Sequence, residues 1–141
     1  MGRDHVRSEV ASSVREAMAP HKFLIGVVDD DPRIRESFEE LLASGGYAVL
    51  LFPSAEAFLD SNGFQRVDCL ISDIGMPAIT GWELLRRART DHPGFPVILI
   101  TADDQDNPLR LLEAKAARYV FRKPFDGREL LAALDAILRN S

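Results

Sequence analysis

Five short apolar runs recur along the chain, and longer segments with a helical spacing of apolar residues separate them. Each run has the length of a strand and is nearly continuous in apolar character, which is typical of strands buried on both faces of a parallel sheet. The pattern therefore predicts strands over residues 23–28, 48–52, 69–72, 97–101 and 119–122.

The segments between these runs begin with residues that favour the start of a helix. A side-chain oxygen at the N-cap accepts a hydrogen bond from a free backbone N–H of the first helical turn, and proline is favoured directly after the cap. The predicted N-caps are Asp31, Ser54, Thr80, Asn107 and Asp126. Five strands that alternate with five helices predict an α/β domain, in which right-handed crossovers place helices on both faces of a parallel sheet.

The chain divides into a short N-terminal extension, residues 1–21, and one domain, residues 22–141. A total of 141 residues is a usual length for a single domain. In the extension, apolar residues recur every four positions at Val6, Val10, Val14 and Met18. This spacing predicts either a partly helical tail or a helix that docks on the domain or on a second chain.

Composition and charge exclude several classes of partner. The formal net charge of −5 has the wrong sign for binding through phosphate neutralisation, so we expect no direct contact with nucleic acid. We also expect no membrane association, because the sequence has neither a polybasic run nor ~20 consecutive apolar residues. The single cysteine, Cys69, and the lack of a secretory signal favour a cytoplasmic protein.

Polar residues that can carry chemistry follow several of the predicted strands. Asp29 and Asp30 follow the first strand and Asp73 the third, while Thr101 ends the fourth and Lys123 follows the fifth. Ligands of open parallel sheets bind outside the carboxyl ends of the strands, so we expect these side chains to converge there.

Such a cluster of carboxylates needs a counter-charge, because crowded carboxylates cannot all stay ionised. Either one of them takes a proton or a cation binds. Oxygen ligands with open positions suit Mg²⁺, which neutralises a phosphoryl group in transit. An aspartate beside that ion can accept the phosphoryl group, and Lys123 and Thr101 can contact its oxygens. Asp31 is better placed to cap a helix than to bind metal, because Pro32 follows it.

Taken together, these segments resemble the receiver domain of bacterial two-component response regulators. The matching motifs are Val-Val-Asp-Asp-Asp-Pro at 27–32, Leu-Ile-Ser-Asp-Ile-Gly-Met-Pro at 70–77 with Thr-Gly at 80–81, Ile-Leu-Ile-Thr-Ala at 98–102 and Phe-Arg-Lys-Pro-Phe at 121–125. The resemblance covers about residues 22–139 and implies the flavodoxin-like, doubly wound receiver fold.

The resemblance also implies a role for each site residue. Asp73 would be the phosphoacceptor, and Asp30 and Asp73 would bind Mg²⁺ directly, with the backbone carbonyl of Gly75 as a further ligand. Asp29 would act on the ion largely through water. Thr101 would be the hydroxyl that moves toward the phosphoryl group, and Lys123 would bind a phosphoryl oxygen. The peptide bond between Lys123 and Pro124 is often cis in this family.

Three positions depart from the family pattern. Ala116 replaces a usual glycine, Val120 replaces a usual aromatic residue, and Gly75 stands where a larger side chain is common. Gly75 should leave the site more open to water. Valine has no ring to swing, so we expect phosphorylation to act mainly by reordering residues 103–107 and the helix that follows them.

The leading hypothesis is a phospho-switch that accepts a phosphoryl group from a histidine kinase or a histidine phosphotransfer protein. It would not be an enzyme in the usual sense, and its switched surface would bind a downstream effector or a second receiver as a homodimer. One alternative is a Mg²⁺-dependent phosphatase or phosphotransferase with an aspartate nucleophile, although Gly75 stands where such enzymes usually carry a second aspartate. Another is an adaptor that keeps only the fold. The chain ends directly after the last predicted helix, so it is either a single-domain regulator or the receiver part of a longer protein, and the N-terminal methionine and the C-terminal tail favour the first.

Overall fold

The computed structural model describes residues 22–102 and 119–139, and in these ranges the strands form one parallel sheet. The order across the sheet is β2-β1-β3-β4-β5. All five predicted strands are confirmed, although the first begins one residue later than predicted and the third extends by one residue to include Asp73. The strands are β1 (Leu24–Val28), β2 (Ala48–Phe52), β3 (Cys69–Asp73), β4 (Val97–Thr101) and β5 (Tyr119–Arg122).

Helices follow four of the strands at the predicted caps: α1 (Pro32–Ser44), α2 (Ala55–Asp60), α4 (Gly81–Asp91) and α5 (Gly127–Leu134), which continues as a π-helical turn over Asp135–Arg139. A further short helix that was not predicted, α3 (Gly63–Arg66), follows α2. The side chains of four predicted N-caps accept hydrogen bonds from backbone N–H groups of the first helical turn: Asp31, Ser54, Thr80 and Asp126. The cap predicted at Asn107, Ala116 and the N-terminal extension lie outside the described residues.

The sheet separates two apolar clusters, because successive side chains of a strand point to opposite faces. In β4, for example, Ile98 and Ile100 belong to one cluster while Val97 and Leu99 belong to the other. The first cluster includes residues of α1 and α5, and the second includes residues of α2, α3 and α4. Helices therefore cover both faces, as predicted.

The C-terminal helical turn is tied to the residues that precede β2. The Tyr47 hydroxyl, which is buried, donates a hydrogen bond to the Asp135 carboxylate. The Arg139 guanidinium lies 4.4 Å from the centre of the Tyr47 ring and 3.6 Å from the same carboxylate. Burial of the tyrosine and its bond to Asp135 hold the pKa of Tyr47 well above its usual range. These contacts fix the end of α5 against the sheet.

The strand order places β1 and β3 side by side at the point where the chain reverses direction across the sheet. The connection after β1 leads outward to β2, whereas the chain after β3 proceeds toward β4 and β5. Such a reversal opens a crevice at the carboxyl ends of the two strands. In the described ranges, no helix combines the length and the apolar character that a membrane span requires.

Candidate functional site

Three carboxylates meet at the carboxyl ends of β1 and β3. Asp29 and Asp30 follow β1, and Asp73 is the last residue of the neighbouring β3. One carboxylate oxygen of each lies within 4.8 Å of those of the other two. Asp29 and Asp73 are only 2% and 8% exposed, whereas Asp30 faces solvent. The structure thus brings together the acidic residues that the sequence placed at the strand ends.

The ammonium group of Lys123 reaches into this cluster from the loop after β5. The Lys123 Nζ atom lies 3.7 Å from Asp29 Oδ2 and 3.6 Å from Asp73 Oδ1. Its backbone N–H donates a 2.8 Å hydrogen bond to the carbonyl of Thr101, the half-buried last residue of β4. The Lys123–Pro124 peptide bond is cis, as the family resemblance implied. Within residues 22–102 and 119–139, one positive charge therefore stands among three carboxylates, which leaves this part of the cluster short of positive charge.

The two carboxylate oxygens of Asp29 have different surroundings. Oδ1 accepts a 2.9 Å hydrogen bond from the Asp31 N–H, while Oδ2 is buried and has no hydrogen-bond partner among the described residues. Burial raises the pKa of Asp29, the charge of Asp73 raises it further, and the Asp31 hydrogen bond and Lys123 oppose the shift. A buried carboxylate oxygen without a donor is suited to a cation or to a water molecule bound to one.

The donor set fits a hard divalent cation. All the side-chain atoms of the cluster that could act as ligands are carboxylate oxygens, and the exposed Asp30 leaves the site open to solvent. Mg²⁺ prefers such oxygen ligands and retains several of its waters. The arrangement is the acidic triad typical of the Mg²⁺ site of receiver domains.

The loop after β3 is open above the acidic cluster. Gly75 is exposed, and a Cβ atom added there would have no atom within 4 Å. Gly75 therefore has no side chain that could screen Asp73, and the greater access of water to the site stays a prediction. Met76 is buried and anchors the loop, and its N–H donates to the Ile74 carbonyl at 3.0 Å.

Gly81 allows α4 to begin directly against the end of β3. A Cβ atom at this position would lie 2.6 Å from the Asp73 carbonyl oxygen and 2.9 Å from the Ile74 Cα atom. Neither backbone atom can move aside cheaply, so the first turn of α4 and the backbone of Asp73 keep their positions only with glycine here. The Thr-Gly motif marks this glycine in the sequence, but its contact with Asp73 depends on the folded structure.

Val120 occupies a surface position on β5, the strand at the edge of the sheet. Val120 is 40% exposed, and the preceding Tyr119 is 41% exposed. The Tyr119 and Phe121 rings lie 6.1 Å apart and nearly parallel, so these two side chains share the face opposite Val120. Residues 103–107, through which we expect the signal to pass, lie outside the described ranges.

One residue of the site region was missed by the sequence analysis. Arg35, in α1, donates a 2.7 Å hydrogen bond from Nη1 to the backbone carbonyl of Asp29. Its position four residues after the Asp31 cap places it one helical turn into α1, and this spacing was the available signal.

The comparisons with other sequences identify the family. The family model described as the response regulator receiver domain matches residues 25–135. The transcriptional regulatory protein FixJ of Bradyrhizobium diazoefficiens is 36% identical over 118 residues, which cover 83% of this chain and 57% of that protein. The response regulator MprA of Mycobacterium avium is 37% identical over 116 residues, 82% of this chain and 50% of that protein. The chain thus spans about half the length of the curated relatives it matches.

Solved structures of receiver proteins have the same fold. A response regulator receiver domain protein from Clostridium thermocellum gives a TM-score of 0.75 at 26% identity, over 84% of this chain and 95% of that one. Full-length FixJ from B. japonicum gives a TM-score of 0.74 at 37% identity, over 84% of this chain and 59% of that one. The chemotaxis protein CheY4 of Vibrio cholerae gives a TM-score of 0.72 at 29% identity, over 83% of this chain and 99% of that one. With its parallel sheet, its acidic triad and these relatives, the chain belongs to the response regulator receiver domain family.

Proposed function

We propose that this receiver accepts a phosphoryl group on Asp73 from the phosphohistidine of a histidine kinase or a histidine phosphotransfer protein. The observation that carries the proposal is the meeting of three carboxylates and one ammonium at the end of β3. In the transfer, the bond between phosphorus and the imidazole nitrogen breaks and a bond to an Asp73 carboxylate oxygen forms. The electron pair stays with the imidazole, and Asp73 becomes an acyl phosphate.

We propose Mg²⁺ as the cation of this site. Asp30 and Asp73 would bind it through their carboxylates, Gly75 through its carbonyl and Asp29 largely through water. The bound ion would supply neutralisation of the charge on the transferring phosphoryl group. The residues present support this assignment, because the donors are oxygen atoms and one buried oxygen of Asp29 lacks a hydrogen-bond donor.

Lys123 and Thr101 would hold the phosphoryl group once it is attached. The Lys123 ammonium already lies 3.6 Å from Asp73, so it can pair with a phosphoryl oxygen by a small shift. Thr101 is joined to Lys123 through the backbone hydrogen bond between them, and its hydroxyl would bond a second phosphoryl oxygen. The exposed Gly75 would admit water, which limits the lifetime of the acyl phosphate.

The output we propose is a change in a protein-binding surface. A downstream effector protein or a second receiver would recognise the phosphorylated state, in the cytoplasm where the kinase domain delivers the phosphoryl group. The net charge of −5 favours a protein partner over direct contact with nucleic acid.

Intact-mass measurement after incubation with acetyl phosphate and Mg²⁺ tests the proposal. The wild-type protein should gain one phosphoryl group, stable in acid and labile in base, and Asp73→Asn should gain none. Asp60→Asn, which removes an exposed carboxylate at the end of α2, is the matched control and should label like the wild type. Equal labelling of Asp73→Asn would refute the assignment, and no labelling of the wild type would favour an adaptor that keeps only the fold.

A further inference from the structure

Arg35 is joined to the backbone that carries the two acidic residues after β1. Its side chain is half-buried, and Nη1 donates a 2.7 Å hydrogen bond to the Asp29 carbonyl. This carbonyl lies just beyond Val28, the last residue of β1 that pairs with β2 and β3. Because the carbonyl belongs to the peptide unit between Asp29 and Asp30, the contact holds the backbone segment that orients both carboxylates.

The contact completes a set of hydrogen bonds between the loop and the start of α1. The Asp31 N–H donates to Asp29 Oδ1 at 2.9 Å, and the Arg33 N–H donates to Asp31 Oδ1 at 2.9 Å. The Arg35 N–H donates to the Asp31 carbonyl at 3.1 Å, and its guanidinium then returns to Asp29. The backbone and the side chain of Arg35 thus hold the same turn from two sides.

The surroundings of Arg35 differ from those of its neighbour Arg33. Arg33 has a side chain 89% exposed and lies 3.6 Å from the Asp31 carboxylate. For Arg35, no carboxylate in the described ranges lies within 4 Å of the guanidinium, and its hydrogen bond goes to a backbone carbonyl instead. Hydrogen bonds from charged donors are shorter and stronger than neutral ones, which suits this bond to a role in fixing geometry.

We propose that Arg35 is a positioning residue of the magnesium site. It holds the Asp29–Asp30 peptide so that both carboxylates face Asp73 before the ion arrives, and it contacts neither the ion nor the phosphoryl group. The inference rests on the proposed function of the site. Residues that orient metal ligands typically change metal affinity about 10–100-fold when they are replaced.

Calorimetric titration of Mg²⁺ into the purified full chain tests this role. Arg35→Ala should raise the Mg²⁺ dissociation constant about 10-fold, whereas Arg33→Ala, the matched control on the same helix, should leave it unchanged. Arg35→Lys should fall between the two, since lysine keeps the charge but lacks the planar donor group. Labelling by acetyl phosphate should be slower in Arg35→Ala at low Mg²⁺ and should recover at saturating Mg²⁺.

Two outcomes would overturn the inference. An Arg35→Ala protein that melts lower in EDTA but binds Mg²⁺ with wild-type affinity would show that the residue only stabilises the helix start. Tighter Mg²⁺ binding would show that the arginine charge repels the ion and that its contact contributes little. If the alanine variant fails to fold, Arg35→Gln, which keeps most of the side-chain length, takes its place in the same titration.

A measurement without metal separates this inference from the proposed function. In metal-free protein, amide hydrogen exchange at residues 30 and 31 should be faster in Arg35→Ala than in Arg33→Ala, because the loop loses its anchor. If the wild type neither binds Mg²⁺ nor becomes phosphorylated, the proposed function fails whatever the exchange shows. If the wild type does both and the two variants behave alike, the proposed function stands and only the role of Arg35 is refuted.

Discussion

Replacing Asp29 with asparagine should stabilise the metal-free protein. Asp29 is 2% exposed, and its Oδ2 atom is buried without a hydrogen-bond donor in the described part of the chain. The Asp29→Asn side chain keeps an oxygen that can accept the Asp31 N–H and replaces the other oxygen with an NH₂ group. This group can donate toward the neighbouring Asp73 carboxylate, so the substitution turns an unsatisfied acceptor into a paired donor.

The size of the effect follows from the charges around Asp29. The Asp29 and Asp73 carboxylates lie within 4.8 Å of each other, and at an effective dielectric constant of about 20 two like charges at that distance repel by about 3.5 kcal/mol. The Lys123 ammonium lies 3.7 Å from Asp29, and this pair attracts by about 4.5 kcal/mol. The attraction therefore exceeds the repulsion by about 1 kcal/mol. Against this stand the burial of an oxygen that accepts no hydrogen bond from the described residues, about 1–3 kcal/mol, and a screened repulsion from the exposed Asp30. We therefore expect a gain of about 1–2 kcal/mol at neutral pH, a rise in Tm of roughly 3–8 °C.

The gain should depend on pH, because burial raises the pKa of Asp29 above its ordinary value of 3.8. The folded wild type then binds a proton more tightly than the unfolded chain does, so protonation of Asp29 adds stability as the pH falls through the raised pKa. That addition is complete below 3.8. Asp29→Asn has no such proton to bind, so its advantage should be largest at neutral pH and should shrink toward pH 4.

Thermal unfolding in EDTA, repeated between neutral pH and pH 4, measures both effects. Asp60→Asn changes the net charge by the same amount at an exposed site on α2 and is the control. Added Mg²⁺ should stabilise the wild type more than Asp29→Asn. The reasoning is refuted if Asp29→Asn is no more stable than the control in EDTA, or if its advantage does not change with pH.

Two further substitutions test contacts that do not involve the side chains of the acidic cluster. Gly81→Ala places a Cβ atom 2.6 Å from the Asp73 carbonyl, so it should cost about 1–3 kcal/mol in urea unfolding and slow acetyl phosphate labelling; wild-type values for both would refute the tight contact. Tyr47→Phe removes the hydrogen bond to Asp135 and should cost about 1–2 kcal/mol in urea unfolding without changing Mg²⁺ affinity; an unchanged stability would count against that bond.

The strands and the acidic site could be predicted because the sequence encodes them locally. A strand buried on both faces must be apolar along its whole length, so the five runs were visible without knowledge of their neighbours. The carboxyl ends of parallel strands share one edge of the sheet, which brings Asp73 beside Asp29 and Asp30 once the strands are placed. Lys123 reaches the same edge from β5 for the same reason.

The short helix α3 could not be predicted, because tertiary contacts determine it. Four residues are too few to show a helical period, and the preceding Asn62 has a left-handed backbone with φ of 57°. Phe64 packs edge-on against Phe58 and Phe95, with ring centres 4.9 and 5.1 Å away. A Cβ atom on Gly63 would lie 2.3 Å from the Phe58 ring, so the turn also depends on a glycine.

The role of Arg35 was hidden for a different reason. The sequence places this residue on α1, but its acceptor is a backbone carbonyl. Every residue has such a group, so no residue type marks the acceptor in the sequence. Whether the guanidinium reaches that carbonyl depends on the path of the loop between Val28 and Pro32. The π-helical turn after α5 was hidden in the same way, because its contact with Tyr47 joins residues 88 positions apart in the chain.

The two apolar clusters on opposite faces of the sheet imply that the domain can be altered one half at a time. Ile98 and Leu99 are adjacent in β4, yet each packs in a different cluster. Substitutions more than about 7–10 Å apart that share no packing partners usually change the free energy of unfolding additively. The layer formed by α1 and α5 can therefore be repacked without compensating changes beneath α2, α3 and α4. A receiver built this way can diversify the packing beneath one helical surface while the other half of the molecule keeps its packing.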